Sequence, residues 1–485
     1  MTFSSLEFLF FFFPIVLAVH FILPSKVRNY WLLAASLFFY AWGESSFFLL
    51  LILSIFVNYI LGLALDRLSR SVNGDESNQR AEFFRKALFI LLLLLNFGPL
   101  FVFKYLNAIT AAIHSYIPAW QGMIPQTSFV LPLAISFYTF QSVSYIIDIY
   151  RGMPAEKNPF NYALFICFFP QLLQGPILRF RDFRPQLMTR KITAEGFSEG
   201  ILRFLTGFNQ KILLANILSE AANAAFDAGE LSVGMAWLGM LAYSLQLYFD
   251  FAGYSDMAVG LGKMFGFSFA ENFNFPYASE SITEFWRRWH ITLGTWFRDY
   301  LYFPLGGSRV KPKFRIALNL LIVWLATGIW HGADLTFVLW GMLHGAVIVF
   351  EKMTNLPKQL EKKPAARFLY HGAVLFIAMF GWMLFRANDM PHAVFYAKSL
   401  FRLSHNPWRD SLFKFNSREY IVTFLFAILS AFPLCRMLRS RISARGETAA
   451  SAVRLVWYLI QLLLAVISVS CLVISSHNPF WYQNF

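Results

Sequence analysis

Polar side chains that could carry chemistry gather in three clusters of an otherwise apolar chain. The first cluster, residues 246–256, places carboxylates and phenols within apolar sequence. Asp250 and Tyr254 are spaced i, i+4, so they share one face of a helix. Because polar groups are expensive in such surroundings, Asp250, Tyr254 and Asp256 would either support a reaction or form a hydrogen-bonded packing network that fixes the helix register. Both interpretations stay open from the residues alone.

The second cluster, residues 281–290, combines tryptophan with arginine. Ser281 or Thr283 is a candidate N-cap, and Glu284 falls in the first turn of a helix predicted from about 283 to 299. This helix would lie on or dip into a membrane surface, either as a plain anchor or as an anion site, since guanidinium groups fit phosphate well. The arginines that would steer an anion are Arg287, Arg288 and Arg298. The positive field continues in Arg309, Lys311, Lys313 and Arg315.

The third cluster ends the apolar run 317–330. Thr327, Gly328 and His331 share a helix face, and the small residues there are expected to leave room for a ligand. A neutral imidazole near its ordinary pKa of about 6.5 is suited to be a general base. We therefore take His331, which follows Trp330, as the main catalytic candidate; the alternative is a buried structural histidine.

The sequence lacks the motifs that metal-dependent, phosphate-binding and serine-nucleophile chemistry would require. His344 lies within a Gly341–Gly345 spacing that favours close helix packing, so we interpret it as structural. The three cysteines lie far apart, and the sequence has no P-loop, nucleophile elbow, HExxH or paired-cysteine motif. We therefore expect no metal.

The elements that position these clusters must be membrane helices. Of 485 residues, 57% are hydrophobic and 14% are charged, whereas soluble chains carry about 25% charged residues. Apolar stretches of about 20 residues recur along the chain, which predicts one all-α, polytopic membrane domain over residues 1–485 with about ten to twelve crossings. This composition excludes a cytosolic enzyme, a disordered chain and a disulfide-stapled secreted domain. The net charge of +14 is then typical of basic cytoplasmic loops and not of nucleic-acid binding.

Charged and charge-poor loops alternate and predict an orientation. By the positive-inside rule, residues 178–195 lie in the cytoplasm, whereas the acidic connection 218–233 and the N-terminus lie outside it. Residues 5–23 are predicted as a retained first span, because no basic region precedes them. Residues 160–169, bounded by prolines, are predicted as a re-entrant or interfacial element. One segment, 398–418, breaks the alternation because its five cations fall where the outer face is expected. This pattern indicates either a genuine exception or a miscounted span nearby.

At the three clusters the chain resembles the membrane-bound O-acyltransferase family, in its bacterial cell-envelope branch. The resemblance is carried by LYFDFAGYSD at 247–256, FWRRWH at 285–290 and WHG at 330–332, with supporting stretches between residues 131 and 386. It implies a helical fold around a central tunnel, with His331 and His290 at the two motif histidines. The residues expected to bind or support the acyl donor are Arg287, Arg288, Arg298, Trp330, Asp250, Tyr254 and Asp256.

The resemblance also implies a function. We expect an O-acetyltransferase of the bacterial inner membrane that takes acetyl from a cytoplasmic thioester, acetyl-CoA, and keeps no permanently bound cofactor. The acetyl group would cross the membrane to an exopolysaccharide such as alginate or cellulose through an extracytoplasmic partner. Peptidoglycan is the alternative acceptor. A transporter or flippase and a non-catalytic anchor are alternatives of another class, although no inverted repeat of the kind many transporters show is visible.

Overall fold

The computed structural model describes residues 1–74, 78–117, 120 and 123–474 of the chain. Within these residues the regular elements are helices, and no strand occurs among them. The α-helices are α1 (Phe13–Ile22), α2 (Arg28–Gly43), α3 (Phe48–Gly74), α4 (Gln79–Tyr116), α5 (Ile135–Tyr150), α6 (Pro159–Cys167), α7 (Phe169–Leu172), α8 (Phe180–Thr189), α9 (Ala194–Gln210), α10 (Ile217–Phe226), α11 (Val233–Met264), α12 (Ile282–Arg288), α13 (Ile291–Phe297), α14 (Lys313–His331), α15 (Leu335–Thr354), α16 (Leu356–Leu360), α17 (Pro364–Arg386), α18 (Met390–Leu400), α19 (Ser411–Glu419), α20 (Ile421–Ala431), α21 (Leu434–Ser443) and α22 (Glu447–Ile474). Short π-helical segments cover Phe8–Phe12, Lys211–Asn216 and Arg298–Tyr302.

Six of the described helices are long and apolar enough to cross a membrane. They are Phe48–Val72, Gln79–Ser115, Lys313–His331, Leu335–Thr354, Pro364–Arg386 and Glu447–Ile474. The pair α20 and α21, which meet at 58°, would raise the number to seven if it forms one broken span. The chain is therefore an all-α, multi-pass membrane protein, as predicted, while the figure of ten to twelve crossings stays a prediction.

The described residues form two compact units, residues 1–200 with 261–270, and residues 201–260 with 271–474. In the first unit, the segment between Pro159 and Pro170 forms the nine-residue α6, whose N-cap Asn158 accepts a hydrogen bond from the Phe160 amide. Its length of about 14 Å is too short to cross a hydrocarbon core of about 30 Å. The apolar helical stretch at the N-terminus, Phe8–Ile22, is also shorter than the six long spans.

The second unit contains the three sequence clusters, and the hairpin of α14 and α15 is its most closely packed part. A Cβ added at Gly341 would lie 2.5 Å from the carbonyl oxygen of Trp324, and one added at Gly345 would lie 2.8 Å from the Trp324 Cβ. The predicted close packing at this Gly341–Gly345 spacing is therefore confirmed. Since only glycine permits this approach, Gly341 and Gly345 let α15 pack directly against α14 at Trp324.

Two segments that the sequence places far apart lie together at the start of α11. The amides of Val233 and Gly234 donate to the carbonyls of Pro407 and Trp408, and Asn406 Nδ2 donates to the Leu231 carbonyl. The basic segment 398–418 thus lies beside the acidic connection 218–233.

Candidate active site

His331 is the last residue of α14, and its imidazole is buried among aromatic rings. Its ring centroid lies 4.6 Å from that of Trp330, 5.0 Å from Trp340 at the start of α15, and 5.1 Å from Phe385 at the end of α17. Three helices therefore position this side chain. The predicted helix and the position of His331 at its end are confirmed.

The glycines beside His331 serve packing, which corrects the expectation that they leave room for a ligand. A Cβ at Gly328 would lie 2.6 Å from the carbonyl oxygen of Phe337, and one at Gly332 would lie 2.2 Å from the Phe337 ring. The backbone and ring of Phe337 therefore occupy the space that the small residues open. These glycines let α15 close onto the end of α14 and hold the imidazole against Trp340.

His344, which we interpreted as structural from the sequence, continues the ring contacts of His331. We call the rings of Trp286, Trp324, His331, Trp340 and His344 the ring column. It is fully buried, and its ring lies 5.4 Å from Trp340, which also contacts His331. Trp286 lies 5.1 Å and Trp324 5.8 Å from the His344 ring. Among the described residues, neither ring nitrogen of His344 has a hydrogen-bond partner, and the same is true of the indole N–H groups of Trp286 and Trp340. The i, i+4 spacing of Trp340 and His344 places both side chains on one face of α15.

His290 interrupts the helix that was predicted from about 283 to 299. The residue has φ 45°, in the left-handed region, and separates the two seven-residue helices α12 and α13. The Asn272 Oδ1 lies 3.1 Å from His290 Nδ1, and it also accepts from the amide and hydroxyl of Thr292. The prediction of one continuous helix was wrong because a contact 18 residues distant in sequence fixes the bend, and helix periodicity cannot show it.

The bend buries the His290 imidazole, whose ring lies 4.7 Å from that of Phe251 in an edge contact. Burial lowers the pKa of His290 to about 3, so the ring is neutral at cellular pH. A line of ring contacts leads from His331 through Phe385 to Trp382 at 5.8 Å, and on to Trp289 at 4.6 Å. The two motif histidines thus belong to one continuous aromatic core.

Glu351 of α15 holds the start of α12. Its buried carboxylate accepts hydrogen bonds from the amides of Ile282 and Thr283, from the Thr283 hydroxyl and from the Tyr370 hydroxyl. The predicted N-cap is also present, because the Ser281 hydroxyl accepts from the Glu284 amide at 3.0 Å. Sequence reasoning missed Glu351, whose partners lie 68 and 69 residues away in the chain.

The three arginines proposed for anion steering differ in their partners. Arg288 pairs with Glu284 at 2.6 Å, and Arg298 pairs with Asp299 at 3.1 Å. Arg287 is exposed and has no carboxylate partner among the described residues. It is therefore the arginine of the three that is most available to an anionic ligand. Four further exposed cations are Arg309, Lys311, Lys313 and Arg315.

The polar residues of α11 are held in ion pairs with α9 and the π-helical segment after it. Lys211 Nζ lies 2.5 Å from a carboxylate oxygen of Asp250, and both side chains are buried. Arg203 lies 2.7 Å from Asp256 and also pairs with Glu271.

These ion pairs lie on a close helix crossing. A Cβ at Gly253 would lie 2.7 Å from the carbonyl oxygen of Gly207, and Tyr254 beside it is fully buried. The geometry favours the packing-network interpretation of this cluster, and a role of Asp250, Tyr254 and Asp256 in donor binding stays a prediction.

These elements define two ends of the second unit. At the His331 end, α17 finishes with Arg386, which lies 3.3 Å from Asp227 in the acidic connection. At the opposite end, which we call the basic end, the cations of residues 309–315 lie at the start of α14, and Glu351 near the end of α15 holds the start of α12. Because α14 has 19 residues, the two ends are separated by about 28 Å.

Comparison with known proteins identifies the relatives of this chain. The family model for membrane-bound O-acyltransferases matches residues 156–388. The probable alginate O-acetylase of Pseudomonas putida is 37% identical over 100% of both chains, and that of Pseudomonas aeruginosa is 43% identical over 80% of this chain and 73% of its own. The peptidoglycan O-acetyltransferase of Helicobacter pylori is 33% identical over 83% of this chain and 80% of its own.

Proposed function

This chain belongs to the membrane-bound O-acyltransferase family, and we propose that it moves acetyl from cytoplasmic acetyl-CoA to hydroxyl groups of an exopolysaccharide across the bacterial inner membrane. Family membership carries the O-acyltransferase activity and the multi-pass membrane location. Relatives named for the O-acetylation of alginate and of peptidoglycan support acetyl as the transferred group. The acetyl-CoA donor, the transfer of acetyl across the membrane and the extracytoplasmic partner are proposed beyond this.

The separation of the two ends along α14 is the observation that carries it. The distance of about 28 Å is most of a hydrocarbon core of about 30 Å. The exposed cations at the basic end suit the phosphates of acetyl-CoA, which they would attract from the cytoplasm. His331 lies at the other end, close to the connection 218–233 that the positive-inside rule places outside. Donor and acceptor would thus approach the reacting carbonyl from opposite faces.

The ring column between the two ends suits the uncharged arm of the donor. The indole N–H groups of Trp286 and Trp340 and the His344 imidazole have no hydrogen-bond partner within the described part of the chain. Buried donors without partners are costly, so a ligand that supplies acceptors gains from binding there. The arm between the phosphates and the thioester of acetyl-CoA supplies amide carbonyls. These groups would therefore direct the thioester towards His331.

The chemistry follows from a neutral imidazole beside a hydroxyl. His331 takes the proton of the acceptor hydroxyl while the oxygen attacks the thioester carbonyl. The tetrahedral intermediate collapses, the C–S bond breaks, and the CoA thiolate leaves and is protonated. The products are an acetyl ester and free CoA. A general base of this kind contributes about 10²–10⁴-fold in rate. His290 would orient the donor arm through the bend that Asn272 holds.

The test is CoA release by purified protein in detergent, measured with and without an extracytoplasmic partner protein. We expect wild type to consume acetyl-CoA and His331→Gln to be at least about 100-fold slower. His392→Gln, a histidine also at the His331 end, is the matched control and should retain wild-type turnover. Equal turnover of wild type and His331→Gln would refute the general base. No CoA release by any variant, with the protein folded and the partner present, would refute the donor and favour the transporter alternative.

The acceptor is tested separately by transfer of labelled acetyl to polysaccharide oligomers. Alginate or cellulose oligomers are the expected acceptors, because the alginate O-acetylases match at the higher identity. Peptidoglycan fragments are the second candidate, favoured by the relative from Helicobacter pylori. Label that appears only in peptidoglycan fragments would replace the exopolysaccharide with peptidoglycan and leave the transfer chemistry unchanged.

A further inference from the structure

A groove remote from the sequence clusters lies where the first part of α11 faces α17 and the segment 398–418. It has a volume of about 710 Å³, which is within the range of about 300–1,000 Å³ for small-molecule sites. Its defining side chains are Trp237, Leu241, Met379, Trp408, Arg409 and Phe413. We call it the Arg409 groove. Among its lining residues, all of which are described, Arg409 carries the only charge.

The lining of the groove extends from the ends of α11 and α17 towards the middle of both helices. Trp408 and Arg409 are exposed at its rim, in the segment that bonds to the first residues of α11. Leu241 lies eight residues after Val233, which is about 12 Å along the helix, and Met379 lies seven residues before the end of α17, about 10 Å along it. Since half of a hydrocarbon core is about 15 Å and α17 is a candidate span, the floor of the groove lies at the depth of lipid chains.

Within the described part of the chain, the cations at the rim of the groove form no ion pairs. Among the described residues, none of the cations of segment 398–418 forms an ion pair with a carboxylate; they are Lys398, Arg402, Arg409, Lys414 and Arg418. Asp410, next to Arg409 in sequence, accepts instead from the Phe413 amide as the N-cap of α19. The guanidinium of Arg402 lies over the Trp408 ring at 5.2 Å. Arginine and tryptophan together are typical of the headgroup level of a membrane.

These observations favour one occupant. Apart from Arg409 and the two tryptophans, the lining side chains are aliphatic, thioether or phenyl groups, which match an acyl chain better than the hydroxyl groups of a sugar chain. We propose that the Arg409 groove binds an anionic phospholipid, with the phosphate on Arg409 and an acyl chain along Trp237, Leu241 and Met379. The bound anion accounts for cations at a face where the orientation predicts few.

The test is lipid binding to the purified full-length chain, followed by native mass spectrometry with phosphatidylglycerol and phosphatidylcholine. Wild type should bind phosphatidylglycerol at least about tenfold more tightly than phosphatidylcholine. Arg409→Gln should weaken the binding of phosphatidylglycerol by about 10- to 100-fold, as the loss of one charge-assisted hydrogen bond predicts. Arg418→Gln, in the same segment but outside the groove, should change it by less than about twofold. Leu241→Trp, which fills the floor, should reduce the binding of both lipids.

Four outcomes would overturn the proposal. Phosphatidylcholine that binds as tightly as phosphatidylglycerol would remove the role of the anion. Arg409→Gln that binds like wild type would remove the role of this arginine, and full competition by inorganic phosphate would show a site for free anions without a lipid chain. If instead an extracytoplasmic partner protein binds wild type but not Arg409→Gln, with lipid binding equal in both, the groove is a protein-docking site. Lipid binding is measured without acetyl transfer, so its failure is distinct from failure of the proposed function.

Discussion

Replacement of Glu351 by glutamine tests whether one buried carboxylate positions α12 and the segment up to His290. One carboxylate oxygen accepts from the Ile282 amide and the Tyr370 hydroxyl, each at 2.7 Å. The other accepts from the Thr283 amide at 2.8 Å and the Thr283 hydroxyl at 2.5 Å. Glutamine keeps the shape of the side chain but converts one of these acceptors into a donor. The variant therefore removes hydrogen bonds without creating a cavity.

The expected loss of stability in Glu351→Gln follows from the geometry of these hydrogen bonds. Whichever way the amide is oriented, one backbone N–H, of Ile282 or Thr283, loses its acceptor, whereas the hydroxyl on the same side can rotate and accept. A buried donor left unsatisfied costs about 1–3 kcal/mol, and the remaining bonds weaken because the acceptor has lost its charge. We expect Glu351→Gln to lower the free energy of unfolding by about 2–4 kcal/mol.

The assay is thermal unfolding in detergent, followed by tryptophan fluorescence, together with CoA release at a temperature where all variants are folded. Glu361→Gln, at an exposed glutamate, is the control and should match wild type in both. Tyr370→Phe should lower the free energy of unfolding less than Glu351→Gln does. The double variant should lose less than the sum of the two single losses, because both changes affect one hydrogen-bond network. Glu351→Gln that unfolds and turns over like Glu361→Gln would refute the view that this carboxylate holds α12.

Two further predictions concern charges. Arg287→Gln should raise the KM for acetyl-CoA about tenfold at low salt, which is the value of one charge-assisted hydrogen bond. Arg288→Gln should raise the KM less, because Glu284 already pairs with that arginine. Equal effects of the two variants in steady-state kinetics would contradict the view that Arg287 is the arginine most available to the donor. Lys211→Met should destabilise the protein by about 3–5 kcal/mol by leaving the Asp250 carboxylate buried without its cation, and Lys211→Met with Asp250→Leu should restore most of the loss in thermal unfolding. A double variant no more stable than the single one would show that the pair is not coupled.

Local sequence predicted the features that depend on local physics. Composition and apolar runs predicted an all-helical membrane protein, and the run before Trp330 placed His331 at the end of a helix. The Ser281 cap followed from a short polar side chain ahead of an apolar segment. The glycines at 341 and 345 correctly indicated close packing, because a GxxxG spacing permits helix contact whatever the partner is.

Features that depend on distant contacts could not be predicted in the same way. The bend at His290 requires Asn272, and the position of α12 requires Glu351, and neither partner is visible in the spacing of the segment that it holds. The same limit explains the misread space beside Gly328, since small residues open room equally well for a ligand and for a neighbouring helix. Sequence pattern shows that a surface is small or polar, whereas the fold decides what fills it.

The composition of the α14–α15 hairpin indicates which part of a ligand can bind along it. Between Arg315 and Asp334, and again between Asp334 and Glu351, the sequence has no lysine, arginine, aspartate or glutamate. The polar side chains left in the column are neutral indoles and imidazoles, which cost less in a membrane than ions do and bind carbonyls but do not neutralise phosphate. Under the proposed function, a phosphate-bearing donor would therefore be held by Arg287 and the cations of residues 309–315, which match its charge. Only its uncharged arm would gain from the column, so the arrangement that would bring a thioester to His331 would also keep the rest of the donor on its own side of the membrane.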